Sequence, residues 1–322
     1  MNCNRRQVVK LALVGWGALL LVVGGGSRQG NADTLPVPAA QGDFAGLVDI
    51  GGHKLYLECH GKGSPTVVLE AGYRNRADIW SVDALEPKGK RTMVMPGVAR
   101  FTRVCAYDRP GATLGAGDFS RSDPVPMPRT AQEIVADLHA LLQKTGVQGP
   151  YVLVGHSLGG MFIRLYASTY PNEVVGMVLV DALSEQVKVL LLRSAQWTLY
   201  NNRFLISPPP GLKPYWNLET IDMNTSIAQM GQAAAAKPLR LMPLVVLSHT
   251  QPFELPSDVP PEFPKALEQA WQAGQNKLAA LVPGARHVFA TESGHYIQQQ
   301  QPELVINAIR EVVTAVRKSD TL

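Results

Sequence analysis

Short apolar runs alternate with longer amphipathic segments along most of the chain. The runs at 65–70, 101–107, 151–154 and 174–180 are almost continuously apolar, which is typical of strands buried on both faces. Between the second and third runs, residues 130–145 carry apolar side chains at helical spacing, which predicts an amphipathic helix. Strands that alternate with helices predict a mostly parallel sheet covered on both faces, and thus an α/β fold.

The same alternation continues toward the C-terminus. Further strands are predicted at 243–248 and 286–290, and further helices at 263–281 and 302–317. Near the start, residues 47–56 predict a β-hairpin, because a Gly-Gly pair separates two apolar stretches.

The segment 183–240 interrupts this alternation. It contains no clear strand, is rich in leucine and aromatic residues, and lies between two predicted sheet strands. Its length, about sixty residues, exceeds an ordinary connection. We therefore expect a helical cap inserted over the strand ends, with the core formed by 44–182 and 241–322. A crossover packed on one sheet face is the alternative.

Residues 1–32 have the features of an export signal. Two arginines and Lys10 precede an apolar stretch at 11–23, which is too short to cross a membrane comfortably, and residues 30–32 end in a small residue, which suits cleavage. The segment resembles a twin-arginine signal. We expect a periplasmic or secreted protein with no stable membrane anchor after signal removal; an uncleaved anchor is the alternative. Residues 33–43 are predicted to be a linker.

Composition narrows the classes of partner. The chain is 46% hydrophobic and 17% charged, with a net charge of +4 and no basic patch interleaved with aromatics, so nucleic acid is not expected as a partner. No histidine–carboxylate cluster has metal-ligand spacing and no dinucleotide fingerprint occurs, so no cofactor is expected. Cys59 and Cys105 lie on predicted strands, which in an exported chain favours a disulfide over two buried thiols.

The stretch GHSLGG at residues 155–160 follows a predicted strand and precedes a predicted helix. Strand, G-x-S-x-G and helix together indicate a nucleophile elbow, in which glycines permit the sharp turn and Ser157 stands at the strand tip. The backbone N–H of Leu158, at the helix N-terminus, would point at the group that the serine attacks. A glycine-rich turn with a chance serine is the alternative.

A nucleophilic serine needs a base, and the base needs an orienting carboxylate. His295 lies in a loop between the last predicted strand and the last helix, and we expect it to be the base. His156 adjoins the nucleophile and is expected to pack or line a wall. His249 follows a strand and is a candidate for the edge of the site, whereas His287 lies within a strand and is expected to be structural.

Five motifs occur in the order seen in the α/β-hydrolase superfamily. They are EAGY at 70–73, YDRPG at 107–111, GHSLGG at 155–160, VLVD at 178–181 and SGHY at 293–296. The chain resembles bacterial esterases, lipases and haloperoxidase-like hydrolases. The resemblance implies an eight-stranded, mostly parallel sheet with the site order serine, acid, histidine. It also implies that Cys59 and Cys105 lie on adjacent strands, which supports a bridge.

The position of the acid departs from the usual pattern. Most relatives carry it shortly after the penultimate strand, where this chain has a proline and offers only Glu254 and Asp258. Asp181 ends the strand after the nucleophile helix, a position that some relatives use. We favour Asp181 as the acid, with Glu254 and Asp258 as alternatives; a purely structural role for Asp181 is also open.

The resemblance implies that a second oxyanion donor comes from the loop after the third strand. That donor would be the backbone N–H of Tyr73, acting with that of Leu158. Ala71 stands where relatives carry a histidine, so the sequence does not identify what supports this loop. Asp108 and Arg109 are expected to be structural.

The combined prediction is an exported serine hydrolase that cleaves small carboxylic esters with an apolar portion. Lactone, amide or C–C hydrolysis and cofactor-free perhydrolysis at the same site are alternatives, because the motifs do not separate them. Dehalogenase and epoxide hydrolase relatives need an aspartate where Ser157 stands, which disfavours those reactions. A non-catalytic binding protein of the same fold is a more remote alternative.

Overall fold

The computed structural model describes residues 42–115, 117–208, 211–212 and 214–319. The predicted export signal at 1–32 lies outside this part of the chain, as does the predicted linker apart from its last two residues. None of the helices described is both long enough and apolar enough to cross a bilayer.

Eight strands form one sheet. They are β1 (Phe44–Asp49), β2 (Lys54–His60), β3 (Thr66–Glu70), β4 (Val104–Tyr107), β5 (Tyr151–His156), β6 (Val174–Val180), β7 (Leu244–His249) and β8 (Arg286–Ala290). Their order in the sheet is β1-β2-β4-β3-β5-β6-β7-β8. Strand β2 runs antiparallel to both its neighbours and every other pair is parallel, which confirms the predicted mostly parallel sheet.

Helices connect the strands and cover the sheet. The α-helices are α1 (Val94–Ala99), α2 (Ala131–Thr145), α3 (Leu158–Thr169), α4 (Glu185–Arg193), α5 (Trp197–Tyr200), α6 (Met223–Ala236), α7 (Phe263–Ala279), α8 (Ile297–Gln300) and α9 (Pro302–Ser319). A 3₁₀ turn spans Ala77–Trp80 and a π-helical turn spans Asn201–Ile206.

Helix α2 shows how local sequence determines an element. Thr130 accepts a hydrogen bond from the Glu133 amide while the Glu133 carboxylate accepts from the Thr130 amide, so two first-turn donors are satisfied. Gly146 ends the helix with φ of 63°, a conformation that favours glycine. The stripe that includes Ile134 and Leu138 is buried against the sheet. The capped amphipathic pattern therefore predicts this helix correctly.

The sheet separates two apolar clusters. Alternate residues of the buried strands contribute to opposite clusters: Leu153 and Leu179 join the side that holds α2, α3 and α7, whereas Val152 and Val178 join the side that holds α1 and α9. Period-two alternation within continuously apolar strands follows from burial of both faces.

The helical segment between β6 and β7 divides into two parts. Residues of α5 and the π-helical turn line a cavity above the carboxyl ends of the strands. Helix α6 instead packs against α2 and α3. Of these two parts the first covers the strand ends, and the cap boundaries at 183 and 240 stay a prediction.

A disulfide joins Cys59 and Cys105, as the sequence predicts. The two residues face each other across the antiparallel pair β2 and β4, with Cα atoms 4.1 Å apart. Both side chains are completely buried. The bridge therefore ties the antiparallel edge of the sheet to its parallel centre.

Candidate active site

Ser157 lies at a sharp turn between β5 and α3. Its φ is 52° and its ψ is −123°, a strained combination for a residue with a side chain. The turn needs glycine on both sides: a Cβ on Gly155 would lie 2.7 Å from the Gly160 nitrogen, and one on Gly160 would lie 2.2 Å from Cβ of Ala182. These close approaches explain the spacing of glycines around the serine.

Ser157, His295 and Asp181 form a continuous hydrogen-bonded chain. Nε2 of His295 lies 3.0 Å from Oγ of Ser157, and Nδ1 of the same ring lies 2.6 Å from Oδ2 of Asp181. Asp181 is fully buried at the end of β6, whereas His295 retains partial exposure toward the cavity. The serine and the carboxylate therefore face opposite nitrogens of one imidazole.

The two alternative acids lie elsewhere. Glu254 is exposed at the cavity wall, and Asp258 is exposed and pairs with Arg203 at 3.1 Å. In the part of the chain that the structure describes, no hydrogen bond or ion pair joins either carboxylate to His295. Of the three acids, the structure brings only Asp181 to the histidine.

A second histidine also contacts Asp181. Nδ1 of His249 lies 2.7 Å from Asp181 Oδ2, and the backbone amide of His249 donates to Oδ1 at 3.2 Å. On the far side of this ring, Nε2 lies 3.1 Å from Oε2 of Glu268 on α7. His249 is buried among these groups, so its expected place at the edge of the site is wrong. The signal that could have predicted this contact is that β6 and β7 are parallel neighbours, so the residues at their carboxyl ends lie side by side.

These contacts determine the charges of the cluster. Burial raises the pKa of Asp181, but hydrogen bonds from His249 and His295 outweigh it and hold that pKa well below its ordinary value. Burial lowers the pKa of His249, but hydrogen bonds to Asp181 and Glu268 outweigh it and raise that pKa to about 9. At neutral pH the cluster therefore contains a carboxylate with a protonated imidazole on one side.

Asp181, His249 and His295 also form a group whose ligand atoms all lie within 4.8 Å of one another. A tetrahedral zinc site separates two ligand atoms by about 3.4 Å, because each lies roughly 2.1 Å from the metal. The separations of 2.6 and 2.7 Å from Asp181 Oδ2 to the two histidines are shorter and match hydrogen bonds. The distances therefore fit hydrogen bonds among these three residues better than coordination of a metal ion.

His156 supports the loop that carries His295. Its Nε2 lies 2.9 Å from the backbone oxygen of His295, and its ring lies 4.7 Å from the His295 ring. Burial, followed by the charge of His295, lowers the pKa of His156 to about 3. The ring is therefore neutral at physiological pH and donates through Nε2. As expected, this residue forms part of the wall of the site.

The direction of the Tyr73 amide follows from the carbonyl before it. Nη2 of Arg109 donates to the Gly72 oxygen at 2.6 Å, and Nη1 donates to the Ala71 oxygen at 2.8 Å. In a trans peptide the C=O and N–H point in opposite directions, so the Tyr73 N–H points away from Arg109. The buried guanidinium thereby supplies the loop support that the sequence did not identify.

The Leu158 amide is oriented in the same way. The Ser157 oxygen accepts from the Leu183 amide at 2.8 Å, so the Leu158 N–H points away from Leu183. It is also a first-turn amide of α3, which lacks an acceptor within the helix. A Cβ on Gly159 would lie 2.5 Å from the Ala71 oxygen, so this helix start is packed directly on the loop after β3.

Arg109 belongs to a completely buried ion cluster. Its guanidinium contacts Glu70 at 2.5 Å and Glu219 at 2.5 Å. Burial lowers the pKa of Arg109, but Glu219 and Glu70 outweigh it and raise that pKa above its ordinary value. Burial keeps the pKa of Glu70 raised. The cluster reaches the inserted segment as well, because Glu219 lies within it and also accepts from the Arg74 amide at 2.5 Å.

A cavity of about 470 Å³ opens onto Ser157 and His295. Aromatic rings surround the base: Phe253 and Trp271 lie 5.1 and 5.2 Å from the His295 ring. Further lining residues come from the inserted segment and α7, namely Tyr200, Phe204, Leu205 and Leu267. An apolar wall beside the reactive groups lowers the local dielectric and strengthens their electrostatic interactions.

A family model for the alpha/beta hydrolase family matches residues 59–308. The chain belongs to the alpha/beta hydrolase family. An uncharacterized Bacillus subtilis protein, YqjL, is 26% identical over 256 residues, which cover 79% of this chain and 86% of that protein. Several further curated relatives are much longer, and the chain covers between 15 and 27% of their length.

Two solved structures illustrate the spread of activities on this fold. A haloalkane dehalogenase loop variant from Bradyrhizobium elkanii has a TM-score of 0.59 at 15% identity, covering 87% of this chain and 99% of that one. The carboxylesterase CesB from Bacillus subtilis has a TM-score of 0.50 at 15% identity, covering 84% of this chain and 91% of that one. At such identities the likeness shows the fold alone. Membership of this hydrolase family implies that the chain acts on a small-molecule substrate.

Proposed function

We propose that this hydrolase cleaves carboxylic esters through an acyl-enzyme formed on Ser157. The observation that carries the proposal is the hydrogen-bonded series from Ser157 Oγ to His295 at 3.0 Å and from His295 to Asp181 at 2.6 Å. A serine at a strained elbow, a base at its hydroxyl and a buried carboxylate behind the base are the parts that acyl transfer requires.

In the proposed reaction, Ser157 Oγ attacks the ester carbonyl while His295 Nε2 accepts the hydroxyl proton. Asp181 holds the ring through Nδ1 and stabilises the imidazolium that forms. His295 then gives the proton to the departing alcohol, which leaves the acyl group on Ser157. Water enters, loses a proton to His295 and releases the carboxylic acid, which restores the serine.

The amides of Tyr73 and Leu158 are the proposed oxyanion donors. Each N–H is directed away from a carbonyl that is itself held, by Arg109 in one case and by the Leu183 amide in the other. Donors fixed before the reaction lose little energy to reorganisation when charge develops on the substrate oxygen.

The cavity supports a substrate with an apolar portion. Phe253, Trp271 and Phe204 contribute rings, and the volume of about 470 Å³ is in the range of small-molecule sites. Ser157 occupies the nucleophile position, which favours acyl transfer over the reaction of the dehalogenase relative. We also propose that the protein works outside the cytoplasm, because residues 4–10 resemble a twin-arginine signal.

The test is turnover of a panel of p-nitrophenyl esters, lactones and anilides by the purified chain and by Ser157→Ala. We expect ester hydrolysis by the wild type, a burst of p-nitrophenol equal to the enzyme concentration, and loss of both in the variant. Turnover of lactones alone would move the assignment to that alternative. Ester turnover that survives Ser157→Ala would contradict the proposed nucleophile.

A further inference from the structure

The carboxylate of Asp181 has a second partner that the proposed reaction does not use. We propose that His249 and Glu268 are positioning residues, which hold Asp181 and set the pH range in which His295 works as a base. This role rests on the proposed function.

The geometry leaves Asp181 no freedom to rotate. Its Oδ2 is shared between Nδ1 of His295 at 2.6 Å and Nδ1 of His249 at 2.7 Å, while its Oδ1 accepts from the His249 amide at 3.2 Å. Both oxygens are therefore held by one residue at the end of β7. Because Asp181 is fully buried, these contacts offset the cost of removing the carboxylate from water.

Asp181 and Glu268 together favour the charged form of His249, and Asp181 is the nearer of the two. Both ring nitrogens of His249 face carboxylate oxygens, so both act as donors and the ring carries a proton. The raised pKa of His249 agrees with this arrangement. The charges are therefore negative on Glu268, positive on His249 and negative on Asp181, and Asp181 in turn contacts the base, His295. Glu268 also accepts from the Phe253 amide at 2.6 Å, which fixes the loop beside the base.

Few titratable groups surround His249. Among the described residues, Asp181 after β6 and Glu268 from α7 bond to the His249 ring, His295 has a ring nitrogen within 4.8 Å of it, and Phe253 packs edge-on against it. The neutral ring of His156 lies against His295. A change of charge at His249 or Glu268 therefore changes the electrostatic potential at His295, with few other charged groups close by.

Removing either charge shifts the working range of the base in a predictable direction. His249→Asn removes a positive charge, so the protonated form of His295 is favoured and the acid limb of the rate profile moves to higher pH. Glu268→Gln removes a negative charge while Asp181 still holds His249 in its charged form, so that limb moves to lower pH. Removing one unit charge a few ångströms from the imidazole should shift the acid limb by about one pH unit. Opposite shifts are not expected from a loss of packing.

The experiment measures the rate of covalent inactivation by a fluorophosphonate as a function of pH, which does not depend on knowing the substrate. The variants are His249→Asn, His249→Ala and Glu268→Gln in the full chain. His53→Asn is the matched control, because His53, in the β1–β2 turn, is partly buried and also bonds to a carboxylate, that of Asp137, at 2.9 Å. Glu268 is partly exposed, so its variant tests the proposal even if loss of His249 prevents folding.

We expect an acid limb about one unit higher in His249→Asn and lower in Glu268→Gln, with the control unchanged. His249→Asn should retain about ten times the maximal rate of His249→Ala, because asparagine keeps a donor near Nδ1. Acid limbs that coincide with the wild type, or that move in one direction together, overturn the inference while leaving the proposed function intact. A wild type that does not react at Ser157 overturns both.

Discussion

Two buried charge clusters lie on either side of Ser157, and they differ in what they can do. The cluster of Asp181, His249 and His295 is built from groups that gain and lose protons, and it ends at the serine hydroxyl. The cluster of Glu70, Arg109 and Glu219 is anchored by a guanidinium that stays protonated, and it ends at backbone carbonyls.

The difference separates two requirements of the proposed chemistry. A proton must move between Ser157 and the substrate, which needs an imidazole whose charge can change. The oxyanion donors must instead stay in place, which suits Arg109, since its charge does not vary with pH. Substitutions in the first cluster should accordingly change the reaction rate most, and substitutions in the second should change stability most.

The largest expected effect is on the titratable cluster. Asp181→Asn should reduce ester turnover by about 10³-fold to 10⁴-fold, because the neutral amide no longer selects the His295 tautomer or stabilises its imidazolium. Steady-state turnover and circular dichroism measure the change and check the fold. A loss below about tenfold in a folded variant would remove Asp181 from the mechanism.

The next effect is on the fixed cluster. Arg109→Met should lower the free energy of unfolding by about 3–5 kcal/mol, because it leaves Glu70 and Glu219 buried without their cation. Urea denaturation measures it. Arg164→Met is the matched comparison, since Arg164 is equally buried but its partner Glu185 is 21% exposed and can be hydrated. Equal losses in the two variants would deny the Arg109 cluster a special structural role.

A smaller effect is the dependence of stability on pH, to which His156 and His249 contribute in opposite directions. His156 has a pKa of about 3 against an ordinary 6.5, so the unfolded chain binds the proton first and stability is lost as pH falls from 6.5 toward 3. His249 has a pKa of about 9, so its contribution is complete below 6.5 and is lost as pH rises toward 9. Stability should therefore be greatest near pH 6.5.

Denaturation across pH tests this assignment. His156→Asn should flatten the acid side of the stability curve and His249→Asn the alkaline side. An alkaline decline that persists unchanged in His249→Asn would contradict the charged state assigned to that ring.

The smallest effects are expected at the acids outside both clusters. Glu254→Gln and Asp258→Asn should each leave ester turnover within about twofold, since exposed carboxylates and surface ion pairs contribute little. The same assay used for Asp181→Asn compares all three. A loss at Glu254 as large as that at Asp181 would mean that the loop after β7 moves its carboxylate to His295 during the reaction.

Sequence patterns predicted the sheet and helix α2 because burial on both faces and helix capping leave local signals. The positions of Ser157 and His295 were also predictable, since elbow and loop motifs stand next to recognisable strands. The role of His249 was not, because it depends on Asp181 and Glu268, which lie 68 residues before it and 19 after it. Arg109 likewise depends on Glu219, a contact across 110 residues that no local pattern encodes.

The most direct test of the central claim is to expose the wild-type chain to a fluorophosphonate and locate the adduct by peptide mass mapping. We predict a single adduct on Ser157, absent in Ser157→Ala and formed at least about 10³-fold more slowly in His295→Ala. An adduct on another residue, or equal labelling of Ser157 without His295, would contradict the proposed pairing of nucleophile and base.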